Sequence, residues 1–164
     1  MRYLSTSGRA PQVPFRTALL EGLAPDGGLY LPDSIPRLSE AWMRGLRDRS
    51  IADIGTEIAS KFVDELPTDE LQPLIADTLD FEMPLIELEP GVFVLELFHG
   101  PTLAFKDVGA RFMARMFSAL HEDDDRPLTV VVATSGDTGG AVARAFYGVP
   151  RTHASDRRGS ESGR

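Results

Sequence analysis

The sequence predicts an α/β chain in two parts: a small, mainly helical N-terminal domain over residues 1–82, then the first part of a parallel-sheet domain over residues 83–150. Three observations predict it. Apolar residues recur at three-and-four spacing through the first eighty positions. Strand-like patterns begin at Pro84. A continuous apolar run over residues 128–133 then feeds a glycine-rich turn and another helical pattern, as a buried parallel strand does.

Taken in order, Tyr3 and Leu4 ahead of Ser-Thr-Ser-Gly make a short strand running into a turn. Phe15, Ala18, Leu19 and Leu23 share one face of a helix that ends at Gly22. Pro25-Asp26-Gly27-Gly28 is a tight turn before the extended Leu29-Tyr30-Leu31-Pro32. Ser39 is a candidate N-cap for a helix carrying Ala41, Trp42 and Leu46, weakened by Gly45. Ser50 opens the cleanest amphipathic stripe, Ile51, Ile54, Ile58 and Phe62, expected to face a core. Pro67-Thr68-Asp69-Glu70 starts a helix bearing Leu71, Leu74, Ile75 and Leu79, in which Pro73 is tolerable only near the first turn.

Beyond Pro84, residues 85–88 and 92–97 read as strands. Phe105, Val108, Phe112 and Met116, widened by Met113, Phe117 and Leu120, form the buried stripe of a helix. The acidic connection 121–127 reads as solvated loop, because three consecutive aspartates cannot all face one cation. The run 128–133 is expected to be fully buried. Residues 139–147 form a short helix with Val142, Ala145 and Phe146 inward, stopped by Gly148 and Pro150. Residues 151–164 carry almost no apolar side chain and are expected to be a disordered or non-native tail.

Composition narrows the function classes. The chain has 164 residues, 42% apolar, with a formal net charge of −8 and no cysteine. The negative charge argues against nucleic acid and anionic membrane surfaces as main partners, since both require clustered Lys and Arg. Absence of cysteine excludes a disulfide framework and thiolate metal sites, and His99, His121 and His153 lack metal-ligand spacing. No apolar h-region opens the chain, and no apolar run approaches the roughly 18–20 residues of a membrane-spanning helix. A cytoplasmic protein is expected.

Two motifs carry chemistry. The first, Glu96 to Asp107 (E-L-F-H-G-P-T-L-A-F-K-D), breaks a strand at Gly100-Pro101 and places Lys106 at the start of a helix. An ammonium there faces the positive end of the helix dipole. Desolvation by Phe98, Leu103 and Phe105 is expected to lower the amine's pKa further. A neutral lysine amine is what attacks an aldehyde in Schiff-base chemistry. The alternative is a surface lysine paired with Asp107. The second motif, Thr134-Ser135-Gly136-Asp137-Thr138-Gly139-Gly140, joins a strand to a helix N-terminus, where free N–H groups and glycines suit an anion. It lacks the G-K-[ST] of a P-loop and the G-x-G-x-x-G of a dinucleotide fold. The alternative is a helix capped by Ser135 or Asp137. Both motifs follow strands expected to lie in one sheet, so lysine and anion cradle would share a crevice at the strands' carboxyl ends.

The E-L-F-H-G-P-T-L-A-F-K-D segment together with T-S-G-D-T-G closely resembles threonine synthase, a pyridoxal-phosphate family of fold type II, the tryptophan-synthase-β-like fold. M-R-Y-L-S-T at residues 1–6 and A-P-D-G-G-L-Y-L-P at residues 24–32 resemble the same family's opening domain. The resemblance covers about residues 1–150 and implies an incomplete pyridoxal-phosphate-binding domain over 83–150. It implies pyridoxal 5'-phosphate as cofactor, Lys106 as the lysine that bonds it and then shuttles protons, and Ser135, Gly136, Asp137, Thr138 and Gly139 as residues lining coenzyme and substrate. The reaction implied is conversion of O-phosphohomoserine and water to threonine and phosphate. Ser135 and Thr138, with His99 and Thr102, are then candidate substrate contacts; His99 and Thr102 equally suit a turn and its ordering. Asp137 repels an anionic substrate unless it caps the helix or pairs with a protonated coenzyme group.

Family members are much longer. The sequence therefore reads as truncated, with exposed strand edges, and is expected to be sticky and inactive alone, or to act with a complementary C-terminal fragment. A non-catalytic remnant that holds an anion at the Ser135 loop is the alternative, and a threonine dehydratase-like enzyme is the near rival.

Overall fold

The computed structural model describes residues 1–121, 128–134, 136–150 and 152–158, the last six by their backbone. The chain divides into two compact units, Met1–Leu79 and Asp80–Arg164.

In the first unit, β1 (Tyr3–Ser5) pairs antiparallel with β2 (Tyr30–Pro32), Leu4 opposite Leu31. Between them lies α1 (Phe15–Glu21), ended by Gly22 at φ 71°. The Asp26 carboxylate gathers this region: it accepts hydrogen bonds from Ser5 Oγ at 2.6 Å and from the Gly28, Arg9 and Ala10 N–H groups at 3.0, 3.0 and 2.8 Å. Ser39 caps the short α2 (Glu40–Arg44) by accepting from the Trp42 N–H, and a 3-10 turn over Leu46–Asp48 follows. Ser50 caps α3 (Ile51–Ala59) by accepting from the Asp53 N–H at 3.1 Å, while its hydroxyl donates to the Asp53 carboxylate. Such reciprocal caps satisfy helix-end donors that burial would otherwise orphan.

The expected stripe on α3 is only partly inward. Ile51 and Ile58 are exposed, whereas Thr56, Ala59 and the following Val63 are buried. The reason is close packing: a Cβ on Gly55 would come within 2.8 Å of Ile75 and Leu79, so small residues form the face that α4 approaches. In α4 (Thr68–Thr78), Pro73 lies well inside the helix rather than near its first turn. The missing N–H is offset by burial of Leu71, Ile75 and Thr78 on one face.

In the second unit, β3 (Leu85–Glu89) and β4 (Val92–Leu95) form an isolated antiparallel hairpin with every residue exposed. Then come α5 (Lys106–Leu120), β5 (Leu128–Thr134), α6 (Asp137–Phe146) and β6 (Thr152–Arg158). Two expectations are corrected here. The strand before Lys106 is not in one sheet with β5, since β4 pairs with β3 and β5 with β6. Nor is β5 fully buried: its side chains alternate, with Val131 62% exposed. A further difference is β6, parallel to β5 with Leu128 opposite Thr152 and Thr134 opposite Arg158, in the stretch expected to be without order. Ladder pairing uses backbone groups, so a polar sequence can still complete it.

The expected stripe on α5 is buried at Met116, Phe117 and Leu120 but not at its N-terminal end. Asp107, Ala110, Ala114, Met116, Phe117 and Leu120 are buried, whereas Phe105 is 62% exposed and Val108 and Phe112 are half-buried. The alanines let α5 approach α6, where Phe117 meets Phe146 at 5.7 Å between ring centres.

Candidate functional site

Lys106 is the first residue of α5, half-buried, with Nζ 4.7 Å from the centre of the Phe105 ring. The apolar residues expected to desolvate it do not close over it within this unit: Phe98, Leu103 and Phe105 are 50%, 76% and 62% exposed. All three lie in the connection between β4 and α5.

Asp107 does not serve as a surface partner for Lys106. It is 1% exposed. Its Oδ2 accepts from the Thr102 N–H at 2.8 Å and its Oδ1 from the Thr102 hydroxyl at 2.7 Å. The Leu103 N–H donates to the Gly100 carbonyl, closing a turn in which Leu103 holds φ 57°, the one non-glycine positive φ among the described residues. Gly100 presses directly on the carboxylate, since a Cβ there would come within 2.6 Å of Asp107 Oδ2. Thr102 thus orders the loop ahead of Lys106. His99 stacks on Phe98 and pairs through Nε2 with Glu96 at 2.7 Å, a contact the three-residue spacing in E-L-F-H allows but does not announce.

Of the second motif, Ser135 lies outside the described residues, as do 122–127, Arg151 and 159–164. Gly136 stands at the N-cap of α6 with φ 143°, and nothing lies within 4 Å of the position its Cβ would take. Gly136 has no side chain to cap this helix and its N–H donates to Thr134 Oγ1 at 3.2 Å; Asp137 occupies the first turn, followed by Thr138 and the buried Gly139. A helix N-terminus opened by glycine and a lysine amine in the same unit are donor types that fit an anionic aldehyde coenzyme. A separate cavity of about 140 Å³, lined by Asp107, Arg111, Arg115, Arg144, Ala145 and Tyr147, lies along α5 and α6 but includes neither Lys106 nor Gly136. Among the described residues no cluster of three metal-ligating side chains occurs, and no helix is long and apolar enough to cross a membrane.

Comparison with known proteins is consistent along the chain. The family described as threonine synthase N terminus matches residues 2–79. The chain is 40% identical to threonine synthase of Escherichia coli (strain K12) over 151 residues, covering 92% of this chain and 35% of that one. It is 41% identical to threonine synthase of Schizosaccharomyces pombe over 162 residues, covering 90% and 31%. The crystal structure of PLP-bound threonine synthase from Brucella melitensis superposes with a TM-score of 0.90 at 41% identity, over 95% of this chain and 35% of that one. The mixed α/β fold is thus that of the N-terminal region of the threonine synthases, of fold type II. The chain spans about a third of the length of these relatives.

Proposed function

Because the chain matches threonine synthases over about nine-tenths of its length, we propose that it is the N-terminal portion of a threonine synthase, with Lys106 as the lysine that bonds pyridoxal phosphate. The whole enzyme would convert O-phosphohomoserine and water to threonine and phosphate. The observation that carries this reading is the placement of Lys106 at the head of α5, behind the clasped 100–103 turn, in the same unit as an uncapped, glycine-opened helix N-terminus at α6.

Bound pyridoxal phosphate supplies an electron sink for carbanion character at the substrate. Lys106 takes a proton from one substrate carbon and returns it at another, which its amine does only in the neutral form. The Gly136 N–H is taken by Thr134 Oγ1 at 3.2 Å, so the N–H groups of Asp137, Thr138 and Gly139 in the first turn of α6 would donate to anionic groups of coenzyme or substrate, with Ser135 leading into that turn. His99, paired with Glu96 at 2.7 Å, would contact the substrate phosphate. The exposed apolar residues around Lys106 become the pocket wall once the remaining two thirds of the relatives' length is present, on one polypeptide or a complementary one. The match over residues 2–79 favours the synthase over a threonine dehydratase, whose pattern begins with the catalytic fold.

The test uses the fact that Lys61 and Lys106 are the only lysines in the sequence. Titration with pyridoxal phosphate, borohydride reduction and peptide mapping should modify Lys106 well ahead of Lys61, which is held by Glu57 at 2.8 Å. Equal modification of both, or none, would mean that this chain by itself has no working coenzyme site at Lys106.

A further inference from the structure

We propose that Asp107 is a positioning residue for Lys106, clasping the Gly100–Leu103 turn so that the lysine leaves the first turn of α5 in one direction. The proposal deepens the reading of Lys106 as the coenzyme-bonding lysine and rests on it.

A carboxylate at 1% exposure is costly unless each oxygen is satisfied. Here each oxygen accepts from one residue, Thr102, through its N–H at 2.8 Å and its hydroxyl at 2.7 Å. The clasp therefore spans five residues and encloses Lys106. The chain between its ends is already bent by the Leu103 to Gly100 hydrogen bond and by a leucine at φ 57°. A left-handed leucine is strained and persists only where the surroundings over-determine it. Gly100 is the third element: only hydrogen fits against the carboxylate, so turn and helix touch without an intervening side chain. The Asp107 N–H donates to the Ala104 carbonyl at 3.0 Å, fixing the peptide that follows Lys106. Turn, strained leucine and buried acid thus hold the lysine's backbone from both sides. A lysine with four rotatable side-chain bonds gains from a fixed base, because reacting atoms misplaced by about 1 Å can lose about a hundredfold in rate.

The experiment compares wild type with Asp107→Ala, Asp107→Asn, Thr102→Val and Gly100→Ala by two labels on the same chains: acetic anhydride pulses, and pyridoxal phosphate with borohydride. Each is read as the Lys106 to Lys61 ratio by mass spectrometry, with circular dichroism as a check on folding. In Asp107→Ala and Gly100→Ala both ratios should shift, the aldehyde ratio falling by about tenfold toward parity. Asp107→Asn, whose amide can still accept from the Thr102 N–H and donate to its hydroxyl, should stay near wild type. A merely structural acid would alter circular dichroism without this rescue. If Asp107→Ala unfolds, Thr102→Val, which removes only the hydroxyl bond, decides with an intermediate ratio. Unchanged ratios in folded variants overturn the proposal. A wild type without aldehyde preference would mean instead that this chain by itself has no working coenzyme site at Lys106, and the anhydride ratios then still decide whether the clasp governs Lys106.

Discussion

The two units solve the same problem differently. In Met1–Leu79, short elements are tied by side chain to backbone bonds, as at Asp26, Ser39 and Ser50, over a core that includes Tyr3, Val63, Leu71 and Ile75. In Asp80–Arg164, α5 and α6 bury a shared face, but the β3–β4 hairpin leaves Leu85, Leu88, Val92, Phe93 and Leu95 exposed. Polar latches let a small unit close on itself where apolar area is scarce. A hairpin with both faces open is marginal in water and adhesive at its edges. The contrast teaches that polar latches close the first unit, whereas the hairpin keeps its apolar residues exposed among the described residues.

The sharpest test sets one leucine from each unit against the other. Leu71→Ala, at 0% exposure, should lower stability by about 2–5 kcal/mol in urea unfolding, whereas Leu88→Ala, at 67% exposure, should change it by less than about 0.5 kcal/mol. Equal effects would break the comparison. Next in size, Gly55→Ala should cost about 1–3 kcal/mol, because its methyl would meet Ile75 and Leu79 at 2.8 Å; a neutral outcome would mean that α3 and α4 are not in contact in solution.

The smallest effect is on pH dependence. Hydrogen bonds from Ser5, Gly28, Arg9 and Ala10 lower the Asp26 carboxyl from its ordinary 3.8 to about 2, the Ser5 bond being the largest cause. A depressed acid contributes stability that is present above pH 3.8 and lost as pH falls through about 2. Asp26→Asn should therefore flatten the acid limb of the first unit's stability profile between those values. An unchanged limb would remove Asp26 from the latch.

Much of this was legible from residue types. Ser39 and Ser50 announced their caps, and Gly22 and Gly148 their helix ends. Comparison with threonine synthases agrees with the resemblance the two motifs carry. What periodicity misjudged was how much of an amphipathic helix's apolar stripe is covered. On α5 the expected stripe is buried at Met116, Phe117 and Leu120 but not at Phe105, and small Ala110 and Ala114 are buried as well. On α3, Gly55 lies against Ile75 and Leu79, while Ile51 and Ile58 stay exposed.

The sequence by itself determined the order of elements through α6, the caps at Ser39 and Ser50 and the end of α1 at Gly22, because these depend on local backbone preferences and on contacts three or four residues apart. Only the tertiary structure decided that Asp107 is buried against Gly100 and Thr102, that β4 pairs with β3 and not with β5, and that β6 lies parallel to β5. Those outcomes depend on which backbone groups and surfaces meet across the fold, and a polar side chain such as Asp107 reads the same in sequence whether water or a turn of its own chain satisfies it.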